Sequence, residues 1–278
     1  KTKAENIDAF YENEKIDPDK LDGDFNELYP HQMVQLSTFD ERGKSALGRF
    51  DGQNIVPLIF DKKAPMGITA LNREQKFAFE LLLNDDIRIV TMSGKAGTGK
   101  TLLALAAGLQ KVTNDKHYDR VLIARPVVPM GKDIGFLPGS MEEKLEPWMQ
   151  PILDNLNLII HSNKSSYLSI DQLIENDFIQ IEALTYIRGR SIPNQYIIID
   201  EAQNLSKHEV KTILTRAGKD SKIILTGDPF QIDNPYLNKV NNGLSQVANK
   251  FYKEQMTGHI MLLKGERSEI AKIASDLL

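Results

Sequence analysis

The 278-residue sequence contains no cysteine. That excludes disulfides, zinc-thiolate centres and a thiol nucleophile, and it fits a reducing compartment. No apolar run approaches transmembrane length, and no signal peptide is visible. The expectation is a cytoplasmic protein with no membrane association. Aromatic residues are few, at 7% with a single tryptophan. Trp148 and Phe136 are therefore as readily core or interface residues as platforms for stacking bases. A strong net charge is also missing. The formal total is −4, and residues 1–28 carry nine acidic and four basic groups, leaving +1 for the other 250 residues. A near-neutral bulk does not announce nucleic-acid binding, nor does it exclude a local basic path.

What is present centres on Gly94-Lys95-Ala96-Gly97-Thr98-Gly99-Lys100-Thr101, which fits the P-loop pattern G-x-x-x-x-G-K-[ST] without a mismatch. An apolar run, Ile87 to Met92, precedes it and reads as a buried strand. Leu102 to Ala107 follow it and are rich in helix formers. Glycines let the backbone wrap closely around a phosphate chain, and the new helix adds its positive end. Lys100 supplies charge for the β- and γ-phosphates of ATP, and Thr101 a hydroxyl for Mg²⁺.

Two further strand ends carry chemistry. Ile197-Ile198-Ile199-Asp200-Glu201 suits a Walker B element, with Asp200 serving the magnesium shell and Glu201 orienting and deprotonating a water. The second acid favours hydrolysis over transfer to a small hydroxyl. Leu225-Thr226-Gly227-Asp228-Pro229-Phe230-Gln231 places Asp228 and Gln231 at the carboxyl edge of a sheet, where ligands bind. Gln231 could sense the γ-phosphate through its amide. Gln75, ahead of the P-loop, could pair with an adenine edge or be an ordinary exposed helix residue. For the arginine that stabilises the transferred phosphate the candidates are Arg267, Arg188, Arg190 and Arg125.

The alternation of apolar runs (Val121–Ala124, Phe178–Ile181, Tyr196–Ile199, Lys222–Leu225, His259–Leu263) with helical segments implies a parallel sheet covered on both faces. Residues 1–28 read as a solvated acidic linker, since Leu21 spoils a calcium-loop pattern there. Residues 29–67 read as a small β-rich module, with strands near Met33–Leu36 and Asn54–Ile59 and a second linker at Asp61–Gly67. The module could be an RNA-contacting barrel or a packing appendage. Residues 68–278 form the nucleotide domain. Within it, 130–177 is rich in proline and glycine and is expected to hold loops and short helices.

Together with Gly135-Phe136-Leu137-Pro138-Gly139, Pro147-Trp148-Met149-Gln150-Pro151, Gly189-Arg190-Ser191 and Gly265-Glu266-Arg267-Ser268, these anchors resemble the PhoH-like ATPase family, related to the first motor domain of superfamily 1 helicases. The resemblance covers roughly residues 68–278. It implies an α/β, RecA-like P-loop fold and a Mg²⁺-dependent ATPase acting on RNA in a helicase-like way. It also implies roles for Gln75 as an adenine contact, Gln231 as a γ-phosphate sensor and Arg267 as an arginine finger. The arrangement is similar to bacterial PIN–PhoH fusions, in which a PIN nuclease precedes the ATPase, and residues 1–67 are too short to be one. A single motor domain leaves the finger to act within its own subunit or across a homo-oligomer, and the family's resemblance to ring ATPases favours a hexamer. Lys132 and the prolyl loops would then face a channel for single-stranded RNA. The rival expectations are an ATP-controlled binding switch and a small-molecule phosphotransferase.

Overall fold

The computed structural model describes residues 1–21, 27–39, 43–126, 141–162, 169–187 and 191–265. Six parallel strands form the main sheet: β4 (Ile89–Gly94), β5 (Arg120–Arg125), β6 (Ile179–Ala183), β7 (Gln195–Ile199), β8 (Lys222–Gly227) and β9 (Thr257–Leu262). Their spatial order is β6-β5-β7-β8-β4-β9. The inner strands are apolar at successive positions because both faces are covered. In β7, Tyr196 and Ile198 point into one core cluster, Ile197 and Ile199 into the other. The first cluster takes α2 (Arg73–Leu83), α3 (Lys100–Leu109), α4 (Met141–Ser162) and Leu173 of α5 (Ile170–Glu175). The second takes α6 (Lys207–Leu214) and α7 (Gly243–Phe251). This is the expected doubly covered α/β sheet, and all five apolar runs beyond the P-loop became strands.

Three expectations are corrected. Residues 1–28 are not a solvated linker throughout. Ala4–Glu12 form α1, which buries Ile7 and Phe10. Those two side chains, with Ile16 and Leu21, complete a core with Leu36, Ala46 and Ile55. The described acidic residues of this stretch are exposed or half-buried, so composition hid a short apolar stripe. The β-rich module is a three-stranded antiparallel sheet, β1 (Met33–Ser37), β2 (Ser45–Phe50) and β3 (Ile55–Pro57). Its middle strand β2 falls in the stretch that the turn signals of Asp40–Lys44 and Asp51-Gly52 bracketed. In the expected second linker, Pro65–Gly67 form a short 3-10 turn with Pro65 and Met66 buried.

The third correction is α4, one 22-residue helix in an interval expected to hold only loops and short helices. Pro151 removes a helical hydrogen bond at a cost of about 3 kcal/mol. Burial of Ile152, Leu156 and Ile159, completely inaccessible and spaced along one face, outweighs it at roughly 1.5–3 kcal/mol each.

The module is fixed to the main sheet by a buried polar network. Arg49 of β2 donates from Nη to His31 Nδ1 at 2.7 Å and from Nε to Glu80 Oε1 of α2 at 3.4 Å. The other ring nitrogen, Nε2, is 2.6 Å from the Gln255 carbonyl, ahead of β9. Since Nε2 donates and Nδ1 accepts, His31 is neutral, in keeping with a pKa that burial lowers. Glu80 also accepts the Phe60 N–H at 3.0 Å, and burial raises its pKa despite the Arg49 charge.

Candidate functional site

Parallel strands deliver their carboxyl ends to one edge, and the three sequence anchors meet there. Gly97 and Gly99 sit in left-handed conformations (φ 77° and 92°), which only glycine adopts without strain. Gly94 is required for a different reason: a Cβ there would lie 2.5 Å from the Leu262 main-chain oxygen. Thr98 is fully buried and donates to the Lys95 carbonyl at 2.9 Å. Lys100 arches over the loop, its Nζ 2.7 Å from the Gly94 carbonyl and 3.0 Å from that of Lys95. This places a cation inside the curl of the loop.

Gln75 takes a role that neither sequence alternative described. It is buried, its Nε2 donates to the Thr98 carbonyl at 3.1 Å, and its Oε1 accepts the Leu71 N–H at 2.8 Å. The N-cap Asn72 accepts the Gln75 N–H at 3.0 Å and fixes this turn. Gln75 therefore ties the start of α2 to the P-loop.

Asp200 is buried at the end of β7. Its Oδ1 accepts the Thr101 hydroxyl at 3.0 Å and the Thr226 hydroxyl at 2.6 Å. One carboxylate thus joins the strand ends of β7 and β8 to the first turn of α3. Glu201 follows in a left-handed conformation (φ 53°), unusual for a non-glycine residue and the kind of outlier that clusters at functional sites. Its Oε1 accepts from Arg125 Nη2 at 3.1 Å, and its Oε2 from Gln203 Nε2 at 2.5 Å. Gln203, 1% exposed, also donates to the Gln231 carbonyl at 2.9 Å and accepts the Asp228 N–H at 3.1 Å. A Cβ on Gly227 would lie 2.2 Å from Gln203 Oε1, so glycine there makes room for the amide. Sequence reasoning passed over Gln203 and Thr226, although both lie inside the strand-end motifs. Arg125 was considered only as a finger.

A cavity of about 230 Å³ is lined by Ala96, Gly97, Gly99, Lys100, Thr101, Leu102, Asn155, Asp200, Glu201, Asp228 and Gln231. Asn155, from α4, had no sequence signal at all. Lys100, Thr101, Asp200, Glu201 and Gln231 are thus brought together as expected. Gln75 and Gly94 stand behind the loop, and Lys95 is exposed beside it. Arg267, Arg188, Arg190, Lys132 and Phe136 lie outside the described residues, as does the side chain of Trp148. The residues present fit a nucleotide with a divalent cation. The cavity joins a left-handed glycine loop and a buried lysine to a hydroxyl–carboxylate pair, the hard oxygen donors that magnesium prefers. Among the described residues no cluster of three or more His, Asp or Glu side chains could hold a metal alone. No described helix is long and apolar enough to cross a membrane.

The sequence profile of the PhoH-like proteins matches residues 67–275. The chain is 54% identical over 256 residues to protein PhoH2 of Bacillus subtilis, covering 90% of this chain and 57% of that protein. It is 36% identical over 234 residues to PhoH2 of Mycolicibacterium smegmatis, covering 84% and 52%. It is 29% identical to protein PhoH of Escherichia coli K12 over 219 residues, covering 79% and 60%. The chain therefore spans little more than half the length of these relatives. Among solved structures, the Pif1 helicase of Candida albicans overlaps 74% of this chain and 43% of its own at 17% identity. Its TM-score of 0.38 is too low to bear on function. With the profile spanning most of its length and its three nucleotide-site motifs gathered at one sheet edge, this chain is a P-loop NTPase and belongs to the PhoH-like protein family.

Proposed function

We propose that this chain hydrolyses ATP with magnesium and couples the reaction to binding, unwinding or remodelling of RNA. The observation that carries the hydrolytic part is the meeting of Lys100, Thr101, Asp200 and Glu201 on one cavity. Magnesium would be held by Thr101 and Asp200, and when bound it supplies positive charge against the phosphate oxygens as the terminal bond breaks. Lys100 places a second cation beside the terminal phosphates. The backbone N–H groups of the P-loop and the α3 N-terminus complete the anion cradle. Glu201 orients a water and accepts its proton. Gln231, tied through its carbonyl to Gln203, reports the γ-phosphate to that amide. Gln75 keeps the P-loop in register with α2, and an adenine contact through its amide is an additional role. Arg267 supplies the finger, in its own subunit or across a hexameric ring.

Single-stranded RNA as partner rests on the family resemblance, as does a PIN nuclease domain upstream in the full-length protein. The test is steady-state ATP hydrolysis with and without single-stranded RNA, single-stranded DNA and duplexes. Glu201→Gln serves as the blank. Stimulation by RNA and a loss of roughly 10²–10⁴-fold in the variant are expected, the size of a missing general base. Normal turnover by Glu201→Gln would refute the assignment of the base. A second reading, an ATP-controlled switch serving a separate effector without unwinding, is favoured by one observation. Both Glu201 oxygens already accept hydrogen bonds, which suits slow hydrolysis. Hydrolysis indifferent to every nucleic acid would select it.

A further inference from the structure

A carboxylate that is to take a proton from water needs a lone pair aimed at that water. Each Glu201 oxygen already accepts one donor, and those two donors set where its remaining lone pairs point. Gln203 holds Oε2 from a buried position, and Arg125 holds Oε1 with a charged donor. The two donors come from different sides. Gln203 belongs to the polar chain that reaches Asp228 and Gln231, which line the nucleotide cavity. Arg125 ends β5, which lies on the far side of β7 from β8 and the P-loop strand β4. It does not line the nucleotide cavity, whereas Glu201 does. Its pull on the carboxylate is therefore directed away from the nucleotide cavity.

We propose that Arg125 is a latch on Glu201. In the resting state it draws the carboxylate out of line for attack, and hydrolysis requires the Arg125–Glu201 pair to open. The inference rests on Glu201 being the base. What opens the pair is an anion that competes for the guanidinium. Arginine pairs with phosphate as readily as with carboxylate, through the same planar fork. The γ-phosphate of the nucleotide is ill placed to do so, since Arg125 stands outside that cavity. A phosphodiester of single-stranded nucleic acid, arriving at the β5 end of the sheet edge, can reach it. The latch would thus convert nucleic-acid binding into release of the base, giving a stimulated enzyme with a low resting rate. Arg125 touches no reacting atom in this scheme. It is a positioning residue that acts through Glu201.

The test compares wild type, Arg125→Ala, Arg125→Lys, Glu201→Gln and the Arg125→Ala/Glu201→Gln double variant. Each is measured for kcat and KM for ATP, with and without an oligouridylate, after thermal melting has shown it folded. Arg125→Ala is expected to raise kcat without nucleic acid on the order of five- to thirty-fold, the size of a modest coupling between sites. KM for ATP should stay within about twofold, as expected when uniform ground-state binding is untouched. Stimulation by the oligouridylate should shrink towards one. Arg125→Lys, which keeps the charge and loses the fork, should lie between. The gain should vanish in the double variant. A fall in kcat for Arg125→Ala, equal with and without oligouridylate, would overturn the latch and make Arg125 a supporting group for the base. A wild type that no nucleic acid stimulates would overturn the phosphodiester as the opener. Wild-type turnover by Glu201→Gln would remove the base itself, and is told apart because that variant is read without touching Arg125.

Discussion

Lys222 opens β8 at zero exposure, with its amine among main-chain carbonyls. Nζ donates to the Leu81 carbonyl at 2.7 Å and the Asn84 carbonyl at 2.6 Å, closing the C-terminal end of α2. A neutral amine has two N–H groups and both are used here. Burial pulls its pKa down to about 7, with Asp85 opposing and Lys111 and Arg88 assisting. Above the ordinary lysine value of about 10.4 neither folded nor unfolded chain binds this proton. As pH falls, the unfolded chain takes it up first, while folded Lys222 stays neutral down to about pH 7. Stability is therefore lost on the way down through that window and is level below it. Each pH unit inside the window is worth about 1.4 kcal/mol. Between pH 7.5 and 9.5 the wild type should gain about 2.5 kcal/mol relative to Lys222→Met. That variant keeps the bulk but has nothing to titrate, and comparison with it cancels every other group. Its lost donors add a cost of about 1–3 kcal/mol per uncapped carbonyl, the same at every pH. In melting temperature the differential is roughly 5–10 °C, at about 2–4 °C per kcal/mol for domains of this size. Thermal or urea melts at pH 7.5, 8.5 and 9.5 read it. Parallel curves for the two proteins would show that Lys222 is buried charged and would refute the reasoning.

Lys100→Ala should abolish ATP binding or turnover while leaving the fold, which nucleotide titration, an ATPase assay and a thermal melt distinguish; a variant that both binds and hydrolyses ATP as the wild type does would remove Lys100 from the phosphate site. Gly227→Ala pushes a methyl into Gln203 Oε1 and should lower kcat more than tenfold through Glu201 and Gln231, with melting changed by only a few degrees. Unchanged kcat there would mean that the Gln203 amide is not needed to hold the site. Arg49→Met strips the partner from Glu80, whose side chain is fully buried, and should cost about 3–5 kcal/mol, as breaking one side of a buried pair does. Denaturant unfolding measures it, and a loss below about 1 kcal/mol would place the holding force of the module in its apolar contacts instead.

Much of this was legible in the sequence because parallel strands covered on both faces are written as unbroken apolar runs. Ile197-Ile198-Ile199 could hardly be anything else, and the P-loop glycines name their own backbone. Apolar side chains scattered among charges were harder to see. Ile7 and Phe10 sit among acidic neighbours, so average composition reported a linker where a helix buries two anchors. In α4, Pro147 and Pro151 read as breakers, yet a stripe of three fully buried side chains carries the helix through. At the site, the residues that face the nucleotide announced themselves, and those that hold them did not. Thr226 and Arg125 owe their roles to neighbours far away in the chain, as Gln203 does in reaching Asp228 and Gln231, and no local pattern encodes such a contact. Gln75 shows the same limit, since its amide chemistry suited a base edge as well as the loop carbonyl it holds.

The two close glycines of the site differ in what stands in their way, and that has a genetic consequence. At Gly227 the severe obstacle is the end of a side chain, Gln203 Oε1, with Leu244 Cδ2 next at 3.0 Å, so a smaller residue at 203 could relieve most of the crowding of an alanine at 227. At Gly94 the obstacle is the main-chain oxygen of Leu262, which every residue type carries. A smaller residue at 203 should therefore recover the few degrees of melting temperature lost to a lesion at 227, though not the work of the Gln203 amide, and no change of residue at 262 should do so for a lesion at 94.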